Sequence, residues 1–140
     1  MTAVCTYLVF TIVATLYYPS AFSPTANWLS DLGNPTANPS GAIFYQIGGV
    51  LTSVVLVLFF AGMYKWIPSD RKMKVFLRLS QVSGIVFAFS FMITALFPLG
   101  VNDSIHSFFS IMLFIFIGFF EVFSASSIRR SPTHVKWVPY

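Results

Sequence analysis

Charge is missing from three long stretches of this chain. No Asp, Glu, Lys or Arg occurs in residues 1–30, 32–64 or 79–102. Soluble domains carry a charged residue at about one position in four, whereas here charged residues make up 9% of 140 and hydrophobic ones 56%. A helix that crosses a bilayer needs about 20 mostly apolar residues, and in lipid its backbone polar groups must be paired within the segment. The charge-free stretches meet that requirement. They exclude a soluble enzyme, a disordered chain and a nucleic-acid-binding protein. They predict an all-α, polytopic transmembrane bundle of four helices.

The spans are expected at residues 2–18, 41–66, 75–97 and 104–128. At about 1.5 Å per residue the first only just crosses the hydrocarbon core. It lacks the basic residue that precedes the apolar core of a secretory signal, so it reads as a span. Asn38-Pro39 predicts an N-cap with proline in the first turn of span two. Pro68 lies in the following loop, Pro98 and Gly100 close span three, and Asn102 or Asp103 caps span four. In the first loop Ser23-Pro24 predicts a short interfacial helix over residues 25–32. Gly33 would end it in the left-handed conformation, with Trp28, Leu29 and Leu32 toward lipid or the bundle. Residues 1–128 then form the transmembrane domain and 129–140 a basic tail.

Lys65, Arg71, Lys72, Lys74 and Arg78 flank the second loop, and Arg129, Arg130 and Lys136 follow span four. The positive-inside rule places both in the cytoplasm. The expectation is a multi-pass protein of the cell (plasma) membrane with both termini cytoplasmic and loops 19–40 and 98–103 outside. Tyr17, Tyr18 and Trp28 suit the outer aromatic belt, Tyr64 and Trp66 the inner one.

Apolar faces do not drive helices together in lipid, so packing falls to small residues that allow close approach. Ser80, Gly84 and Ala88 recur every fourth residue in span three. Gly41, Gly49 and Ser53 lie on a stripe with Tyr45 in span two, Ser110 and Gly118 share a face of span four, and Thr11 and Thr15 one of span one.

The outer face gathers Ser30, Asp31, Asp103 and His106, beside Asn27, Asn34, Asn102 and Ser104. A membrane-interface hydrolase would use Ser30 as nucleophile, His106 as base and Asp31 or Asp103 to orient it. No strained elbow or oxyanion donors can be read here. The structural alternative is that Asp31 ties the loop to the bundle through His106 or the first amides of span four. Asp31, Asp103 and His106 have no recognised metal-ligand spacing, and the lone Cys5 permits neither an intrachain disulfide nor a cysteine metal site. No metal or cofactor is therefore expected. Glu121, the one acid inside a span, lies at a depth similar to Arg78. The two would form an ion pair that fixes helix register, Glu121 would reach water near the headgroups, or Glu121 would relay protons in a small transporter. His134 falls in the basic tail.

The run Tyr18-Pro19 … Ser23-Pro24 … Ser30-Asp31-Leu32-Gly33, then Gly48-Gly49, Phe97-Pro98 and His106, resembles the prokaryotic membrane proteins grouped as Domain of Unknown Function 998. The resemblance covers about residues 8–125. It implies a helical membrane fold, in members typically longer with about six spans, and it promises no activity. The leading expectation is a non-enzymatic structural or partner-binding subunit of a membrane complex. Its partners would be the lipid bilayer and other membrane-protein subunits or a second copy, with no nucleic acid. The alternatives are an interface hydrolase or lipid-modifying enzyme using the Asp31/His106 site, and a proton-coupled transporter using Glu121.

Overall fold

In the computed structural model, which describes residues 1–66 and 70–129, four α-helices follow one another. They are α1 (Thr2–Leu16), α2 (Ala42–Gly62), α3 (Arg71–Leu96) and α4 (Asp103–Arg129). A 3₁₀ helix, Leu29–Gly33, lies between α1 and α2, and a second, Met63–Trp66, extends α2. Among the described residues there is no strand. Three segments, Ala42–Lys65, Arg71–Leu96 and Asp103–Ser127, are long and apolar enough to cross a membrane. α1 is equally apolar in character but has 15 residues, about 22 Å at the α-helical rise. The basic tail lies outside the described residues beyond Arg129, as does the Pro68 loop.

Helix ends follow local chemistry. α3 begins a turn earlier than residue 75 because Asp70 caps it, its carboxylate accepting the Met73 amide at 2.9 Å. At the start of α4, Asn102 Oδ1 accepts the Ile105 amide at 3.1 Å, while Asp103 reaches back to the Gly100 amide at 2.7 Å. Gly100, at φ +81°, is the residue of this turn that adopts the left-handed region.

Three expectations for the first loop need correction. Pro39 does not sit in the first turn of α2: residues 38–41 form a separate turn, and the helix starts at Ala42 behind Gly41. The interfacial helix is also shorter than residues 25–32. Residues 23–27 fold into a turn closed by the Asn27 amide donating to the Ser23 carbonyl, and the chain is extended at Trp28 before the 3₁₀ helix begins. Gly33 does not have a positive φ. It is needed for space, since a Cβ there would lie 2.8 Å from Tyr45 Cδ1.

Each helix packs chiefly on its neighbour in sequence, most extensively α3 on α4. Close approach carries these contacts, as lipid solvation requires. The adjacent glycines of α2 serve two partners. A Cβ on Gly48 would strike Phe10 of α1, and one on Gly49 would lie 2.7 Å from Ala95 Cβ of α3. Gly84 of α3 receives the ring of Phe60 from α2, beside fully buried Ala88. Between α3 and α4, the buried Ser80 hydroxyl lies 2.5 Å from that of Ser124. Ser53 is buried and turned back on its own helix, donating to the Gly49 carbonyl at 2.7 Å.

Gly118 departs from the packing expectation. A Cβ there would meet nothing within 4 Å, so this glycine faces away from the other helices. The expected Arg78–Glu121 ion pair is absent too: both side chains are exposed, and neither has a hydrogen bond or ion pair among the described residues. The reason is rotational. α3 meets α4 through Ser80, and Arg78, two residues earlier, points about 200° around the helix from it.

Candidate functional site

The end of the bundle that carries the first loop holds Ser30, Asp31, Asp103 and His106. Its organiser is Asn38, fully buried. Its Nδ2 donates to the Ala14 carbonyl at 3.1 Å and to the Leu32 carbonyl at 3.0 Å, and its Oδ1 accepts the Gly41 amide at 3.1 Å. Gln46 donates to the Gly33 carbonyl at 2.9 Å. With Leu32 fully buried and Gly33 against the Tyr45 ring, the Ser30-Asp31-Leu32-Gly33 run becomes an anchor of the loop on α1 and α2.

Asp31 serves that anchor locally. Its carboxylate accepts the Trp28 amide at 2.8 Å, and its own amide donates to the Trp28 carbonyl at 3.0 Å. This is the returning half of a capping box. Asp31 makes no hydrogen bond to His106 or to α4, so the expected clamp through those partners is replaced by the one through Asn38 and Gln46.

His106 is buried in the first turn of α4. Its Nδ1 lies 3.2 Å from the Thr94 carbonyl and 3.1 Å from the Phe97 carbonyl. Carbonyls only accept, so Nδ1 must carry a proton and donate to them. In the neutral ring Nε2 then holds a lone pair, and it has no partner among the described residues. His106 therefore ties α4 to the end of α3. No Ser30–His106–Asp31 chain of hydrogen bonds forms, although Ser30 and His106 line the same cavity. Asp103 is engaged with the Gly100 amide. Among the described residues no three of His, Cys, Asp and Glu come together to hold a metal ion.

That cavity is a cleft of about 820 Å³ between α1 and α4, floored by α2 and α3 and covered at one end by Trp28 and Leu29. Its walls are mostly apolar, with Phe87, Phe91, Leu56 and Phe114 among them. Seven hydroxyl-bearing residues interrupt them: Tyr7, Ser30, Tyr45, Thr52, Thr94, Ser107 and Ser110. The Tyr7 and Tyr45 hydroxyls are 2.8 Å apart, and Phe91 meets the Tyr7 ring edge-on with centroids 5.5 Å apart. Thr52 is 4% exposed, and its hydroxyl has no hydrogen-bond partner. Thr11 shares that property but does not line the cleft. Sequence reasoning placed chemistry at Asp31 and His106 and passed over Asn38 as more than a cap, Gln46, Tyr7 and Thr52. The available signal was the rarity of polar side chains inside the apolar runs.

Glu121 stands apart, exposed on α4 six residues before Ser127, about 9 Å along the helix from the end of the apolar segment. Gly118 and Ala125 lie on the same stripe, three residues before and four after, and Ala125 is exposed.

The family model described as "Protein of unknown function (DUF998)" matches residues 1–137. No curated protein and no solved structure matches the chain.

Proposed function

The chain belongs to the DUF998 family, and from that premise we propose that it is a non-enzymatic, partner-binding subunit of a membrane complex. It docks through the α4 face that carries Gly118, Glu121 and Ala125. One observation carries this reading. Glu121 lies within an apolar segment, exposed and without a partner among the described residues, and an ionisable group in the membrane is costly until it is paired. Gly118 beside it leaves a notch that no side chain among the described residues fills, the shape that lets a second helix approach closely. The partner helix, from another subunit or a second copy, supplies a basic or hydrogen-donating side chain opposite Glu121.

In this reading all four helices cross the cell membrane and both termini are cytoplasmic, following the basic residues. The dispersed roles of Asp31 and His106 support it over the interface hydrolase, and the absence of Glu121 from the cleft lining supports it over the proton-coupled transporter.

The test is disulfide or maleimide crosslinking from a cysteine at Ala125, in membranes, with Cys5 replaced by serine. A protein adduct is expected, together with its loss in Gly118→Leu at unchanged thermal stability, because a Cβ at Gly118 would meet nothing within 4 Å among the described residues. A monomer without adducts, or an adduct indifferent to Gly118→Leu, would overturn the proposal.

A further inference from the structure

Resting on the partner-binding reading of α4, we infer that the partner is a second copy of this chain and that its Arg78 pairs with Glu121.

Two opposite charges are left over in one molecule. The chain has four acids. Asp31 and Asp103 accept amides at the end of the bundle that carries the first loop, and Asp70 caps α3. Glu121 remains, exposed and without a partner among the described residues. Arg78 is its counterpart. It is exposed, equally without a partner among the described residues, and the innermost basic residue along the apolar helices.

The two match in depth. Arg78 is 18 residues from Leu96 at the end of α3, and Glu121 is 18 residues from Asp103 at the start of α4. Both therefore lie about 27 Å from the turn that joins these helices, short of the depth of a hydrocarbon core, about 30 Å. A charge held there is costly until it is paired. Within one copy the pair does not form, because Arg78 points away from α4. Between copies inserted in the same orientation the two side chains lie at one level.

Shape agrees with charge in the same register. Copies that share an orientation bring α3 of one antiparallel to α4 of the next. Gly118, Glu121 and Ala125 follow i, i+3, i+7 spacing on α4, and Val75, Arg78 and Val82 follow it on α3, so each set forms one stripe. With Glu121 opposite Arg78, Gly118 falls opposite Val82 and Ala125 opposite Val75, each to within the rise of one residue, about 1.5 Å. Both valines are exposed, Val82 at 58% and Val75 at 52%, and a Cβ at Gly118 would meet nothing within 4 Å. On either side of the charge pair, a small residue of one helix thus takes a valine of the other, the close approach that joins helices in lipid.

The contact is head-to-tail. Each copy offers α4 to one neighbour and α3 to another, which builds a ring or an open row. A symmetric α4–α4 contact instead sets Glu121 against Glu121 and leaves Arg78 unpaired.

The test uses two differently tagged forms of the full chain, both Cys5→Ser, co-expressed and oxidised in membranes. One carries Ala125→Cys and the other Val75→Cys. A disulfide joining the two tags is expected, in excess of the product joining two copies at position 125. Arg78→Gln or Glu121→Arg, placed in both forms, should lower its yield at least about tenfold, the worth of a charge-assisted hydrogen bond. Arg78→Glu combined with Glu121→Arg should restore it, the recovery that marks a direct pair. Melting temperatures of single copies in detergent should not change, since neither side chain has a partner among the described residues. A mixed disulfide indifferent to Arg78→Gln, a charge exchange that restores nothing, or a product at position 125 alone would overturn the inference. An Ala125 adduct to a different polypeptide overturns it while leaving the partner-binding reading of α4 standing, and a chain that forms no adduct overturns both.

Discussion

The side-chain amide of Asn38 reaches back to the carbonyl of Ala14, 3.1 Å away, and to that of Leu32, 3.0 Å away. One buried side chain therefore joins the end of α1, the 3₁₀ helix and the approach to α2. Around it there is no room for more. A Cβ on Gly41 would lie 2.6 Å from the Ala14 carbonyl oxygen and from Asn38 Oδ1. The first loop is held by a network whose members depend on one another.

Replacing Asn38 by Leu strands the Ala14 and Leu32 carbonyls in a buried site, while the Gly41 amide keeps its bond to the main-chain carbonyl of residue 38. The expected cost is about 2–6 kcal/mol, since each of the two carbonyls left unpaired costs about 1–3 kcal/mol. Asn38→Asp should be at least as damaging, because it turns an acceptor toward two carbonyls. Equilibrium unfolding in micelles measures both, and a loss below about 0.5 kcal/mol would show that water or backbone shifts take over the amide's role.

Two helix glycines should respond with opposite signs. Gly84→Ala puts a methyl group onto the Phe60 ring, an overpacking expected to cost about 1–3 kcal/mol. Gly118→Ala meets open space and should gain up to about 1 kcal/mol from helix propensity. Unfolding of the two variants in the same detergent is the comparison, and equal losses would contradict the assigned faces.

Asp31→Ala removes one cap bond, worth about 0.5–2 kcal/mol. Asp31→Asn retains an acceptor for the Trp28 amide and should cost less. The bond is local, so hydrogen exchange should rise in residues 28–34 and stay unchanged in α3 and α4. Equal damage from Ala and Asn, or faster exchange in α4, would point to a longer-range role for the carboxylate.

Topology is tested by single cysteines at Thr2, Thr36 and Lys72, all exposed, in a Cys5→Ser background. Thr36 should label from outside intact cells, and Thr2 and Lys72 only after permeabilisation. Outside labelling at Thr2 would mean that the 15-residue α1 does not cross the membrane.

The four helices and their approximate limits were legible in the residue order, because lipid demands long runs in which every backbone group is paired and no charge intrudes. Their ends were legible wherever a cap was local, as at Asn102. The start of α3 was missed because Arg71, Lys72 and Lys74 broke the apolar run while Asp70 still capped a helix. What folding alone decided was rotation. The helical period tells which residues share a face, but one apolar face is as good as another against lipid, so hydropathy does not say which face meets which helix. Steric fit says it: Gly48 and Gly49 admit Phe10 and Ala95, and Phe60 enters at Gly84. That fit brings Tyr7 to Tyr45 and Asn38 to Ala14. It sets Arg78 and Glu121 apart despite their matched depth, because two residues along a helix reverse the direction in which a side chain points.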